Sequence, residues 1–511
     1  MTKASSHLPD DIAAALTKAE ALIAGRELDA ALNVLAPIVE NDETNVNALF
    51  LLGFVAQQID SLDSAIDAYQ RVLACDPNYR DGFYRLVSVL ARNGQGDIAY
   101  ATLKAALGER GQEPVYWLTM GNVMLHMTYV NEAVRAYYKA LELNPVSVAA
   151  RLNLSEAELR RGQVDTALAL AREVVTAAPE LAAGHYNLAQ ILIARGEFDE
   201  GWAAFEYRFD IYGEGPEKGV ERRNLPHQRW QGEALNGAGL VVWCEQGIGD
   251  EVYYASLFTA LEQLDGPVAV ECAPRMRPLL ARSFPHFAIY EKSEPAAAEL
   301  LQAPWQRQIP AASLMAVLRP DLNPQVLTKT AFLVPDADLV ADIRQRYQAQ
   351  RSGPIIGISW RSGNITARQR RSIPLADWQA IIGNDRLNVI SLQFGNHDRE
   401  IIRAGRQFAH HLHLDPAIDA AVNLDDFAAQ VAACDLVISV ANSTVHIAGA
   451  VGVPVWVCLD SAPDCRWGLT RDRDDHYPSA RLYRQTVPGD WQPVLDRLTA
   501  DLAQFLDRYR A

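Results

Sequence analysis

Three short stretches of this 511-residue chain gather residue types that can move a proton or hold an anion. The first is Gln246-Gly247-Ile248-Gly249-Asp250, a glycine-rich turn that ends in a carboxylate. Gly247 and Gly249 permit a tight turn and close substrate approach. A carboxylate at such a turn can take a proton from a hydroxyl, and it can equally cap the helix that follows. The second is basic: Arg361, Arg368, Arg370 and Arg371 crowd one segment, and a guanidinium can grip a phosphate through two parallel hydrogen bonds. The third, Asn442-Ser443-Thr444, precedes an apolar run containing His446. Free backbone N–H groups and the dipole of a helix starting there would point at a bound phosphate. His446 can orient that phosphate, cap its own helix or simply pack. Gly395 to Asp398 and Asp464 to Trp467 hold further polar groups whose chemistry the sequence leaves open.

These stretches need a scaffold that brings them to one place. Beyond residue 235, short apolar runs alternate with helical segments: 239–243, 267–271, 355–359, 389–392, 436–439 and 454–458. Alternation of buried strands with helices predicts parallel sheets made of βαβ units. Residues 236–335 and 354–511 form two such groups, and the polar helical stretch 336–353 separates them. Two doubly wound halves with a cleft between them are expected. Asp250 would then stand at the C-terminal end of the first strand, where ligands bind in open α/β sheets. A linker is expected over 211–235, where Glu214, Gly215, Pro216 and Glu217 break the pattern.

The first 210 residues read differently. Pro77, Pro145 and Pro179 lie at multiples of 34 residues, each after a helical pattern. Small residues recur upstream at Ala31, Ala65, Ala99, Ala133 and Ala167, each followed four places later by Leu35, Tyr69, Leu103, Tyr137 or Ala171. With Leu49, Leu52 and Gly53, and Trp117, Met120 and Gly121, this resembles the tetratricopeptide repeat, about six times over from residue 12 to 210. The resemblance implies a stacked superhelix whose concave face binds peptide. Asn153 and Asn187 share the sixth place of their repeats. Their amides offer a donor and an acceptor together, like a short version of the asparagine ladder of O-linked N-acetylglucosamine transferases. A row of polar residues on a solvated helix face is the other reading.

In one order along the chain stand Trp230 to Glu233, Glu245 to Glu251, Ser359 to Asn364, Arg370 to Pro374, Ser391 to Gln393 and Ser439 to Gly449. That series resembles bacterial proteins joining tetratricopeptide repeats to a heptosyltransferase-like GT-B glycosyltransferase domain. The fold implied is an α-solenoid followed by an α/β GT-B domain of two doubly wound parallel-sheet halves, acceptor side first and nucleotide-sugar side second. The resemblance implies Asp250 as catalytic base and puts Arg371 where a lysine meets the donor phosphates. Arg361, Arg368, Asn442, Ser443, Thr444 and His446 join it as donor-binding residues. No metal or other cofactor is needed in principle, since arginines and helix dipoles can neutralise the leaving group, and the cysteine usage and the start of the chain lead one to expect a cytoplasmic enzyme. Its donor would be a nucleotide sugar, in the sharpest version CMP-linked nonulosonic acid, and its acceptor Ser or Thr of a protein such as flagellin. One departure stands out: heptosyltransferases have Asp-Thr-Gly where this chain has Ala441-Asn442-Ser443. The lost carboxylate argues against heptose as donor sugar, or against catalysis. The alternative is therefore a repeat adaptor with a non-catalytic nucleotide- or sugar-binding domain.

Composition narrows the rest. Apolar residues make up 49% and charged residues 22%, and the formal charge is −16, the balance of a folded globular chain. Residues 1–210 carry 17 basic and 28 acidic side chains, against 30 and 35 in the remainder. Neither part has the cationic surplus that broad nucleic-acid binding requires. The six cysteines form no C-x-x-C pair, so neither a disulfide framework nor a zinc site is expected. The start lacks an apolar signal-like run, and the most apolar stretch, 433–459, is broken by Asp435, Asn442 and His446, so no membrane span is expected.

Overall fold

The computed structural model describes residues 12–25, 27–211, 222–319, 326–327, 330–363, 368–395, 397–405 and 411–509. Twelve helices come first: α1 (Ile12–Ala24), α2 (Leu28–Asn41), α3 (Val46–Gln58), α4 (Leu62–Cys75), α5 (Arg80–Arg92), α6 (Gly96–Arg110), α7 (Pro114–His126), α8 (Val130–Leu143), α9 (Val148–Arg160), α10 (Val164–Ala177), α11 (Ala182–Arg195) and α12 (Phe198–Phe205). The 34-residue period is written in the core. Ala31, Ala65, Ala99, Ala133 and Ala167 are fully buried, as are Leu35, Tyr69, Leu103, Tyr137 and Ala171. Small side chains let paired helices approach closely, and glycine carries this furthest. A Cβ on Gly121 would lie 2.3 Å from the Tyr137 ring, and one on Gly53 would lie 2.9 Å from that of Tyr69. The predicted terminators also hold, with α4, α8 and α10 ending just before Pro77, Pro145 and Pro179.

Two compact units emerge, one running to Asn187 and the other combining Leu188–Phe209 with the chain from Val220 onward. The proposed linker residues 214–217 lie outside the described residues.

The second unit holds two parallel sheets. The first comprises β1 (Gln228–Arg229), β2 (Gly239–Trp243), β3 (Val268–Cys272), β4 (Ala288–Glu291) and β5 (Trp305–Pro310), in the order β1-β5-β2-β3-β4. The second comprises β6 (Ile355–Ser359), β7 (Asn388–Ser391), β8 (Leu412–His413), β9 (Leu436–Val440), β10 (Val455–Leu459) and β11 (Ala480–Arg484), in the order β11-β10-β9-β6-β7-β8. Every residue of β2, β3, β6, β9 and β10 is buried, because helices cover both faces of a parallel sheet. Strand order reverses between β2 and β5 in one sheet and between β6 and β9 in the other. Such switch points open a crevice at the strands' C-terminal ends.

Buried ion pairs brace this unit. Arg208, just after α12, grips Glu245 at the end of β2 through Nε and Nη2, at 3.2 and 2.7 Å. Its Nη1 donates to Glu206, and its Nη2 also reaches Ser313. Arg223 closes on buried Glu271 in the same two-pronged way.

Candidate functional site

The turn after β2 places the carboxylate. Gln246 adopts φ +65°, so the left-handed position falls on glutamine rather than on a glycine. Gly247 is extended and is the N-cap of helix α13 (Ile248–Ala255). The Gly247 N–H donates to Asp250 Oδ2 at 3.1 Å, so Asp250 caps its own helix. Its other oxygen, Oδ1, accepts from Arg466 Nη2 at 2.5 Å. Gly249 answers a different demand: a Cβ there would lie 3.0 Å from His446 Cδ2 and 3.6 Å from the Ser443 Cα. The two sheets' helices touch at this point, and a side chain there would force the His446 ring to give way.

Arg466 belongs to a short 3-10 turn, Cys465–Trp467, which Asp464 caps. Asp464 Oδ1 accepts from Arg466 Nε at 2.7 Å, so one guanidinium is held by a carboxylate from each half. Its carbon lies 5.1 Å from the centre of the Tyr253 ring on α13. Burial opposes charge on Asp464, yet Arg466 and then Arg371 hold its carboxyl well below the usual range. Trp467 stacks on the His446 imidazole at 5.4 Å, and Tyr477 Oη lies 3.1 Å from His446 Nδ1. Burial first, and the Arg466 cation next, push His446 well below an ordinary histidine, leaving the imidazole neutral. His446 is thus packed among Tyr253, Trp467 and Tyr477.

The residues expected to meet a donor divide by what they already hold. Asn442 caps the Ser443–Ala450 helix by accepting from the Thr444 N–H at 3.0 Å. Its amide nitrogen donates to Ser359 Oγ at 2.7 Å and to the Arg361 carbonyl, tying β9 to β6 across the switch point. Thr444 is buried with its hydroxyl on the Leu392 carbonyl, and Ser443 is half-buried at the helix start. Arg361 pairs with Glu400, which also accepts from Trp360 Nε1. Arg370 pairs with Asp460 beyond β10 and reaches the Ala462 carbonyl. Arg368 is exposed. Arg371 is half-buried, its Nε has no hydrogen-bond partner among the described residues, and its charge is felt at Asp464. Asn364 and Asn396 lie outside the described residues, while His397 hydrogen-bonds the Gly395 carbonyl and meets Trp360 edge-on.

Sequence reasoning left Arg466 without a role and passed over Glu251. Glu251 is buried beside Asp250 and accepts from the Ala273 N–H at 3.1 Å at the end of β3. Burial pushes its carboxyl up to about 7. The signals were there as adjacent acidic residues and as an Asp-x-Arg-Trp run, but neither says which half of the molecule the partner comes from. Asp474 turns inward, accepting from the His476 and Tyr477 N–H groups, and burial pushes it up to about 6. Among the described residues, no three His, Cys, Asp or Glu side chains converge as a metal would require.

In the repeats, Asn153 donates to Asn122 Oδ1 at 2.8 Å, and that oxygen also accepts from Tyr137 Oη. Asn187 accepts from Ser155 Oγ at 2.8 Å. Both amides are half-buried and already linked to neighbouring helices.

Residues 16–80 and 130–182 match the family model described as tetratricopeptide repeat. Protein FlbA of Caulobacter vibrioides is 29% identical over 472 residues, covering 89% of this chain and 78% of that protein. Among solved structures, the thermophilic tetratricopeptide-repeat protein TTC0263 of Thermus thermophilus is 22% identical with a TM-score of 0.33, covering 36% of this chain and all of that one. A MamA fragment from Desulfovibrio magneticus RS-1 is 18% identical with a TM-score of 0.29, covering 34% and 97%. No helix among the described residues is long and apolar enough to cross a membrane. The chain is a tetratricopeptide-repeat protein with a C-terminal α/β region of two parallel sheets, and Protein FlbA is its distant homologue.

Proposed function

We propose that the protein is a glycosyltransferase that moves a sugar from a nucleotide-sugar donor to Ser or Thr hydroxyls of a protein docked on the repeats. The sharpest version is flagellin receiving a nonulosonic acid from a CMP-linked donor. The supporting observation is the placement of Asp250 and Arg466 at the facing ends of two parallel sheets, 2.5 Å apart. In the reaction, the acceptor oxygen bonds to the anomeric carbon while the bond from that carbon to the nucleotide phosphate oxygen breaks. The hydroxyl proton passes to Asp250, and the departing phosphate leaves with the bonding electrons. Arg371, Arg466 and the N-terminus of the Ser443–Ala450 helix supply positive charge for that phosphate without a metal.

Incubating acceptor with a panel of nucleotide sugars and reading its intact mass tests the assignment. Wild type should add one sugar mass or more, and Asp250→Ala should lower the rate by about 100-fold or more, the usual contribution of a positioned base. Unmodified acceptor throughout, with a protein partner still bound, would favour the adaptor reading. That second reading has its own support: both Asp250 oxygens are engaged, and Ala441 stands where the resemblance implies a carboxylate.

A further inference from the structure

We infer that the Asp250–Arg466 ion pair is a resting-state latch that an anionic donor opens, Arg466 passing from the Asp250 carboxylate to the donor phosphate as Asp250 becomes free to take the acceptor's proton. The inference rests on the transferase reading and adds to it a residue and an order of events.

Four observations carry it. Arg466 stands between two carboxylates that differ in attachment: Asp464 is its neighbour on the same turn, whereas Asp250 lies on the opposite half. Asp464 holds the guanidinium through Nε at 2.7 Å and, more loosely, through Nη2 at 3.3 Å, so the grip within its own half persists when the Nη2 contact to Asp250 is exchanged. The side chain remains 13% exposed and that of Asp250 20%, so the pair is reachable rather than sealed. Lastly, the cation is already held in place from outside the pair. Tyr253 lies against the guanidinium, and Trp467 is fixed on neutral His446, so Arg466 need not reorganise to accept a new anion. Arg371, whose charge acts on Asp464 and whose Nε has no hydrogen-bond partner among the described residues, adds a second cation near that carboxylate. A phosphate arriving there meets two guanidinium groups, and in taking Nη2 of Arg466 it displaces the Asp250 oxygen while Asp464 keeps its shorter bond to Nε. The pair therefore opposes donor binding while leaving Asp250 unavailable as a base until the donor has arrived.

A latch predicts an effect that a purely structural pair does not. Removing the charge of Asp250 abolishes transfer but strengthens anion binding, because Arg466 no longer has to leave a carboxylate. Calorimetric titration of the full chain with CMP and, separately, with inorganic pyrophosphate reads this directly. Asp250→Asn should bind at least one of the two about fivefold more tightly than wild type, on the scale of a partly exposed ion pair. Arg466→Gln should bind more weakly than wild type, and the double variant should show no gain from Asp250→Asn. Arg466→Lys keeps the charge without the fork and should fall between; it serves if the glutamine variant does not fold. Unchanged or weaker binding by Asp250→Asn overturns the latch, as does wild-type binding by Arg466→Gln, while sugar transfer measured by mass stands or falls separately. Absence of binding in every variant also overturns the latch, and it touches the transferase reading only if the donor panel gives no transfer either.

Discussion

At the scale of single residues, the site is governed by what burial does to neighbouring acids. Asp250 and Glu251 are adjacent, yet helix α13 sends one to the interface with Arg466 and buries the other beneath the end of β3. Glu251 is pushed up to about 7, above its ordinary 4.5. The folded state therefore holds a proton that the unfolded chain has lost, and this contribution to stability is full below about pH 4.5 and disappears as pH rises through about 7. Glu251→Gln keeps the neutral form at every pH. The variant should gain stability over wild type as pH rises from 5 to 8, by up to about 3 kcal/mol, read as the difference between their urea midpoints. Equal pH slopes for both proteins would refute the assignment. Asp250 was legible from its glycine-rich setting, whereas Glu251 was not, because a side chain's depth depends on which strands close over it.

At the scale of elements, the contact between α13 and the Ser443–Ala450 helix decides how near the two halves come. Gly249 is a contact glycine, since its Cβ would press on the His446 ring at 3.0 Å. Gly247 has only Asp250 Oδ2 within reach of a Cβ, at an ordinary 3.4 Å, and its extended backbone suits any residue. Gly249→Ala should therefore cost about 1–3 kcal/mol and lower the melting temperature, while Gly247→Ala should stay within about 0.5 kcal/mol. Thermal melts followed by circular dichroism separate the two, and equal effects would show that the interface is not tight at Gly249. Central strands were readable because parallel sheets buried on both faces give continuous apolar runs. β4, β5 and β11 were not, since Glu291, Gln306, Arg307, Gln308 and Arg481 cut short or interrupt their apolar pattern. Gln308 earns its place only through a partner, accepting from Trp243 Nε1 at 2.7 Å on the neighbouring strand.

At the scale of the whole molecule, the end of the repeat pattern and the edge of the compact unit do not coincide. The period runs to about residue 210, but Leu188–Phe209 packs as part of the α/β unit, with Arg208 buried against Glu245. A truncated chain beginning at Leu188 should keep CMP binding and lose modification of a folded acceptor. One beginning at residue 211 should be destabilised by about 3 kcal/mol or more, because Glu245 would be left as an unpaired buried charge. Titration with CMP and thermal melting of both truncations test this; identical behaviour would mean that Arg208 does not brace the unit. The sequence by itself determined the repeats, the central parallel strands and the identity of the turn that presents Asp250, because periodicity and apolar runs are local records of which faces must be buried. Only the tertiary structure decided that Arg466 meets Asp250, that Gly249 lies against His446 and that Asn442 ties β9 to β6 while capping its helix. Those partners stand 216, 197 and 83 residues apart, counting Asn442 to Ser359, and nothing in local pattern encodes a contact made by strands and helices folding over one another.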